Sequence, residues 1–239
     1  MKISDFSTLT FDCYGTLIDW ESGIFDALTP LNDRCGKSMD RDAWLLEFSR
    51  TESVIQSVEP ELSYARLLAK THEAMAKNLS VPMGDSDHVA FSASIEHWPA
   101  FPDSVQSLQY LKEHFKLVIL SNVNNAGFEF SNRHLKVEFD AVYTAEDIGS
   151  YKPSHKNFDY MLDHLQDLGV SKSEILHTAQ SLFHDIVPAT EIGLTTCWID
   201  RRAAQSGSGA TPAVENPPTP DMRFVSLADM VKAHRLEQQ

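Results

Sequence analysis

The chain has 239 residues, 42% hydrophobic and 23% charged, which is the composition of a globular protein with material for a full core. A formal net charge of −14 argues against nucleic-acid binding, which calls for a basic face, but leaves an anionic small molecule open because a few local cations override a global field. No secretory apolar segment and no run of about 18 apolar residues occurs, so the chain reads as cytoplasmic, with no membrane span. Cys13, Cys35 and Cys197 fall into no metal or disulfide spacing and read as reduced thiols, Cys13 and Cys197 as small buried residues of strands.

Residues 7–13 read as a first strand. After Gly15 and Thr16 the chain turns helical, and residues 18–97 hold several helices and no good strand. In "MDRDAWLLEFSRTESVIQ", Ala43, Leu46, Arg50 and Val54 mark a helical stripe with one charge in it. "SYARLLAKTHEAMAKNL" and "SDHVAFSASIEHW" are also helical. The character then changes. "FPDSVQSLQYLKEHF" is a helix opened by Phe-Pro-Asp, "KLVILSN" a buried strand, and "AGFEFSNRHL" a helix. "FDAVYTAEDIG" is a short strand and turn, and "SHKNFDYMLDHLQDLG" a helix closed by Gly169. "EILHTAQ" and "TTCWID" are strands flanking the short helix "DIVPATEIG". The Gly-, Ser- and Pro-rich "AAQSGSGATPAVENPPTPD" is a long loop before a last strand and helix in "RFVSLADMVKAHRL".

Strands alternating with helices imply right-handed βαβ units and a parallel sheet covered on both faces. The expected fold is α/β: a Rossmann-like doubly wound parallel sheet formed by residues 1–17 and 98–239, with residues 18–97 inserted as a helical cap domain.

In such sheets ligands sit outside the carboxyl ends of the strands. Four such places carry polar residues: Asp12; Ser121 and Asn122; Lys152; and Gln180 and Ser181 with Asp185 one turn on. Each alone has a plain reading, the Asp as a helix N-cap and the Lys as a solvated surface charge. Their coincidence in sheet order favours a site. His177 within its strand reads as a hydrogen-bonded core residue, and His184 as a neighbour that tunes Asp185. No histidine pair has zinc-site spacing.

With "FDCYGTL", Ser121, Lys152-Pro153 and Asp185 in this order, the sequence resembles the haloacid dehalogenase superfamily along nearly its whole length. The resemblance implies a Rossmann-like core, a helical cap and Asp12 as covalent nucleophile. Phosphatases of that superfamily carry an acid two residues after the nucleophile and bind Mg²⁺ with a further acid in the fourth motif. Here Tyr14 and Gln180 stand in those places. "DxYGT" is instead similar to the type II L-2-haloacid dehalogenase branch, in which no metal or cofactor is needed. The implied reaction is attack of Asp12 on C2 of a small 2-substituted carboxylic acid, followed by hydrolysis of the ester. Lys152 is then expected to hold the pKa of Asp12 down. Thr16 and Ser121 would bind Asp12 or the substrate carboxylate, and Asp185 would activate water or pair with Lys152. Asn122 would offer an N–H to the leaving group, and Tyr14 a wall with its hydroxyl free for substrate. Arg50 is either the leaving-group arginine of the cap or an outward-snorkelling side chain. Trp20 is either a pocket wall or part of a hinge core. Two departures from the branch bear on the leaving group: Leu182 replaces an Asn, and Phe158 replaces a Tyr. A relative of the branch opens the ring of azetidine-2-carboxylate, and Trp20, Tyr14, Phe158 and Gln180 are candidates to hold its ammonium. Halide as leaving group ranks first and the ring amine second. A Mg²⁺-dependent phosphatase and an inactive fold serving as a binding module remain as further readings. The branch also implies a homodimer.

Overall fold

The computed structural model describes residues 1–37, 39–204 and 209–239. Among these, six strands form one parallel sheet in the order β3-β2-β1-β4-β5-β6. They are β1 (Thr8–Phe11), β2 (Lys116–Ser121), β3 (Ala141–Thr144), β4 (Ile175–Ala179), β5 (Thr195–Ile199) and β6 (Met222–Phe224). β1 lies between β2 and β4, with Phe11 in register with Ile119 and Thr178. The doubly wound sheet puts the crevice beside β1 at the carboxyl end.

The uninterrupted apolar run of β2 follows from cover on both faces. Leu117 and Ile119 join the cluster that holds Leu108 and Leu111 of α6 (Ser104–Lys112) and Leu227 and Met230 of the last helix (Leu227–Glu237). Val118 and Leu120 face the other way, onto Phe158, Met161 and Leu165 of α9 (His155–Asp167). Each such buried side chain contributes about 1.5–3 kcal/mol. Between them in sequence lie α7 (Asn125–Leu135) and α8 (Ala145–Ile148); where the sequence suggests only a turn after β3, Thr144 caps a short helix by accepting from Asp147 N–H at 3.3 Å. A π-helical turn (Leu182–Ile186) leads into α10 (Val187–Glu191), and the last helix is α11.

Between β1 and β2 run α1 (Trp20–Ala27), α2 (Thr29–Cys35), α3 (Arg41–Val58), α4 (Tyr64–Asn78) and α5 (Asp85–Ala93), then a 3₁₀ turn (Ser94–His97). The chain leaves and re-enters the sheet region side by side: Asp19 N–H donates to Pro99 O at 2.8 Å and Phe101 N–H to Leu17 O at 3.0 Å. α1 lies so close to Trp98 that a Cβ on Gly23 would fall 2.3 Å from its ring.

The rotation of α3 corrects the sequence reading. Asp40 caps the helix by accepting from Ala43 N–H at 2.8 Å. The buried face is Trp44, Leu45, Phe48, Ser49 and Thr51, whereas Leu46, Arg50 and Val54 are exposed. The stripe picked from the sequence is thus the solvent face. A helix offers several apolar spacings, and only packing against α1, α4 and α5 selects one. Part of the long loop, residues 205–208, lies outside the described residues; Thr211 and its neighbours are irregular as expected.

Candidate active site

The site begins where β1 ends. Asp12 still donates its backbone N–H to Thr178 O of β4 at 3.2 Å, so its carboxyl group leaves the sheet at the β1–β4 crevice. The chain then doubles back through Gly15, whose φ of +91° suits glycine alone. A Cβ there would also lie 3.0 Å from Trp20 Nε1 and 3.1 Å from Gln180 Oε1. The turn returns Thr16 to the carboxylate: its Oγ1 donates to Asp12 Oδ2 at 2.9 Å and accepts from Gln180 N–H at 2.9 Å.

Lys152 ties the parts together. Its fully buried ammonium donates to Asp12 Oδ1 at 2.9 Å, Asp185 Oδ1 at 2.7 Å and Leu120 O at 2.9 Å, which uses all three protons. Asn122 fixes the backbone of Lys152, donating from Nδ2 to its carbonyl at 2.9 Å and accepting from its N–H at 2.7 Å. Asp185 is carried on the π-helical turn, which Ser181 closes by accepting from His184 N–H at 2.9 Å. Asp185 Oδ1 also accepts from His177 Nε2 at 3.1 Å, and Thr10 Oγ1 lies 2.9 Å from His177 Nδ1. His177 is the hydrogen-bonded core residue expected. Asp185 Oδ2 and Ser121 Oγ are buried without a partner among the described residues.

Burial opposes charge on all three members of the cluster. For Asp12 burial prevails: together with the charge of Asp185 it pushes the carboxyl above its ordinary value, against the pull of Lys152. For Asp185 burial is outweighed by Lys152 and by the His177 hydrogen bond, and the carboxyl lies below its ordinary value. Lys152, with burial opposing, is raised by the two carboxylates. Lys152 does pull Asp12 down, as expected, but burial outweighs that pull. One ammonium is shared, and Asp185 has a second donor in His177.

Over Asp12 opens a cleft. One side is the sheet end: Asp12, Asn122, Lys152, Ser181, His184 and Asp185. The other is helical: Trp20 from α1, Glu52 and Gln56 from α3, and Tyr64 from α4, with Tyr14 and Thr211 between. Burial lowers His184 to about 4, leaving it neutral at pH 7. Burial raises Glu52 to about 7.

Several expected site residues are placed otherwise. Arg50 is exposed and absent from this lining. Successive helical residues turn by about 100°, so Glu52, two positions on, points to the opposite side and enters the cleft. The sequence reading missed Glu52 and Gln56; the signal was their continuation of the Trp44, Leu45, Phe48, Thr51 face. Phe158 is fully buried behind the site, its ring edge-on to His177 with centroids 5.4 Å apart. Gln180 lines a separate cavity with Arg41 and Arg201. The Tyr14 hydroxyl is not offered to the cleft: it lies 2.8 Å from Ser131 Oγ and donates to Gly127 O at 3.3 Å. Asn122 has its amide engaged with Lys152. Trp20 both lines the cleft and packs edge-on against Phe48, with ring centroids 6.2 Å apart.

A divalent cation wants several hard oxygens at one point. The ammonium of Lys152 stands between the two carboxylates, and position 180 brings an uncharged amide outside the cleft. Among the described residues no group of three or more His, Cys, Asp or Glu converges.

The sequence pattern of haloacid dehalogenase-like hydrolases matches residues 6–178. The chain belongs to that family. Among its relatives, the pyrimidine 5′-nucleotidase YjjG of Escherichia coli K12 is 27% identical over 142 residues, which is 59% of this chain and 62% of the nucleotidase. The fold of this family member is similar to that of the L-2-haloacid dehalogenase from Xanthobacter autotrophicus, with a TM-score of 0.75 at 19% identity over 96% of this chain and 98% of that one. It is also similar to the HAD-hydrolase YfnB from Bacillus subtilis bound to magnesium, with a TM-score of 0.76 at 18% identity over 96% and 99% of the two chains. The family is therefore shared by proteins named for different reactions, and the residues of each site must discriminate between them.

Proposed function

We propose that this hydrolase works without a resident metal, Asp12 attacking C2 of a small 2-substituted carboxylic acid to form an ester that water then cleaves. The observation that carries the reading is the buried Asp12 carboxylate, braced by Lys152 on one oxygen and Thr16 on the other, at the floor of the cleft. Each oxygen accepts one hydrogen bond and retains further lone pairs. A carboxylate that burial makes more basic, and that little water shields, is a stronger nucleophile toward saturated carbon.

In the first step an Asp12 oxygen bonds to carbon, and the leaving group departs with the bonding pair. In the second, water adds to the ester carbonyl. The oxyanion forms where Lys152 or Thr16 already donates, and collapse frees the alcohol and restores Asp12. Asp185 Oδ2, unpartnered, orients that water. Residues 18–97 act as the cap that excludes solvent.

Halide and ring-amine leaving groups share these steps. One observation favours the C–N reading. Among the described residues Lys152 is the only lysine or arginine lining the cleft, and its protons are all committed, so none of these side chains offers a free cation to draw out a halide.

A single turnover in ¹⁸O-water tests the nucleophile. The label should enter the Asp12 side chain before product, as read by peptide mass spectrometry; label found only in product would refute covalent catalysis.

A further inference from the structure

The helical side of the cleft carries a group that neither the nucleophile nor its supports use. Glu52 makes no hydrogen bond or ion pair with any described residue, and Gln56 and the Tyr64 hydroxyl make no hydrogen bond either. An acid in a partly buried cleft without a partner is costly to the protein alone. Among the described residues its surroundings hold nothing to neutralise it. α4 presents Tyr64, the segment before α9 presents Tyr151, and the sheet end presents Asp12, Asp185, neutral His184 and the fully committed Lys152.

The walls next to Glu52 are aromatic. Trp20, Tyr14 and Tyr64 line the same cleft; Tyr14 and Tyr64 have ring centroids 6.3 Å apart, and both rings brace edge-on against Trp98. Aromatic faces around a carboxylate attract positive charge through the ring quadrupoles as well as by direct pairing. Across the cleft there are three carboxyl groups to one ammonium. On the helical side a cation meets both a partner in Glu52 and a surface that sheds water.

We propose that Glu52, with Trp20 and Tyr64, forms a subsite for a positively charged nitrogen of the substrate. The substrate class is a small amino acid whose cationic nitrogen rests against α3 and α4 while its electrophilic carbon rests on Asp12. The subsite rests on the proposed role of the cleft but not on covalent chemistry. Glu52 is then a substrate-contacting residue that decides which molecules the family's nucleophile receives, and the neutral wall of Gln56 allows small variations in shape around the nitrogen.

The test is calorimetric titration of the full chain with pyrrolidinium and with tetrahydrofuran, a neutral ring of nearly the same shape, at pH 8. The wild type should prefer pyrrolidinium by about tenfold or more, and Glu52→Gln should erase that preference while leaving tetrahydrofuran binding unchanged. Binding of pyrrolidinium to the wild type should also strengthen from about pH 6 to about pH 8, as the Glu52 carboxyl becomes ionised. Circular dichroism checks that the variant is folded; should it not be, Glu52→Ala is read in its place. A preference that survives loss of the Glu52 carboxylate, or a wild type that binds both rings alike, overturns the subsite. Either result leaves the ¹⁸O experiment on Asp12 standing, because ring binding requires no bond to that residue.

Discussion

The two sides of the cleft are built on opposite terms. On the sheet side the groups that hold Asp12 are committed: three protons of Lys152, the hydroxyl of Thr16 and the amide of Asn122, while Asp185 Oδ2 and Ser121 Oγ are left over among the described residues. On the helical side Glu52, Gln56 and the Tyr64 hydroxyl are committed to nothing among the described residues. The contrast separates two jobs. Groups that carry charge through a reaction must be held in place beforehand, because reorganising them would cost rate. Groups that recognise a ligand keep their hydrogen-bonding capacity for it.

The contrast is broken most severely by removing the shared ammonium. Lys152→Met leaves Asp12 and Asp185 buried beside each other without a counter-charge. Urea denaturation at pH 7 should show a loss of about 3–5 kcal/mol. A loss below about 1 kcal/mol, within the range of exposed pairs, would mean that solvent already reaches the cluster.

The helical side gives the opposite sign. Glu52 titrates at about 7 when folded, against 4.5 for the free group, with burial as the cause. Between those values the unfolded chain has lost this proton and the folded chain keeps it. Stability contributed by this group therefore falls as pH rises through that window and levels off above it. Glu52→Gln removes the slope. Thermal or urea unfolding should show no gain at pH 4 and a gain of up to about 3 kcal/mol at pH 8. A destabilised variant at pH 8 would show that Glu52 has a protein partner after all.

The smallest effect sharpens the boundary between the helix faces. Arg50 is exposed, turned away from the cleft. Arg50→Ala should change stability by no more than about 0.5 kcal/mol and kcat/KM by less than about twofold. A large fall in kcat/KM would return Arg50 to the site and overturn the orientation of α3.

Most of the sheet side was legible in the sequence. The apolar run of β2, the Asp12–Gly15–Thr16 turn, and the polar residues at strand ends identify an α/β fold and a site, because strand period and turn chemistry are local properties. Asp12, Thr16, Lys152 and Asp185 do come together as hydrogen-bonded neighbours. What was not legible was which atoms would be left free. Nothing local says that the Tyr14 hydroxyl turns to Ser131, that Phe158 fills space behind His177, or that Gln180 faces a neighbouring cavity. The direction of the Asp12 shift was also hidden, since it depends first on burial, which only the packed structure sets.

The sequence by itself determined the order of elements, the strand that ends in Asp12 and the family to which that motif belongs. Only the tertiary structure decided the rotation of α3. The helix carries apolar residues on more than one side, and its own periodicity does not choose between them. Packing of Trp44, Leu45 and Phe48 makes the choice, and in making it turns Arg50 out to solvent and Glu52 in toward Asp12.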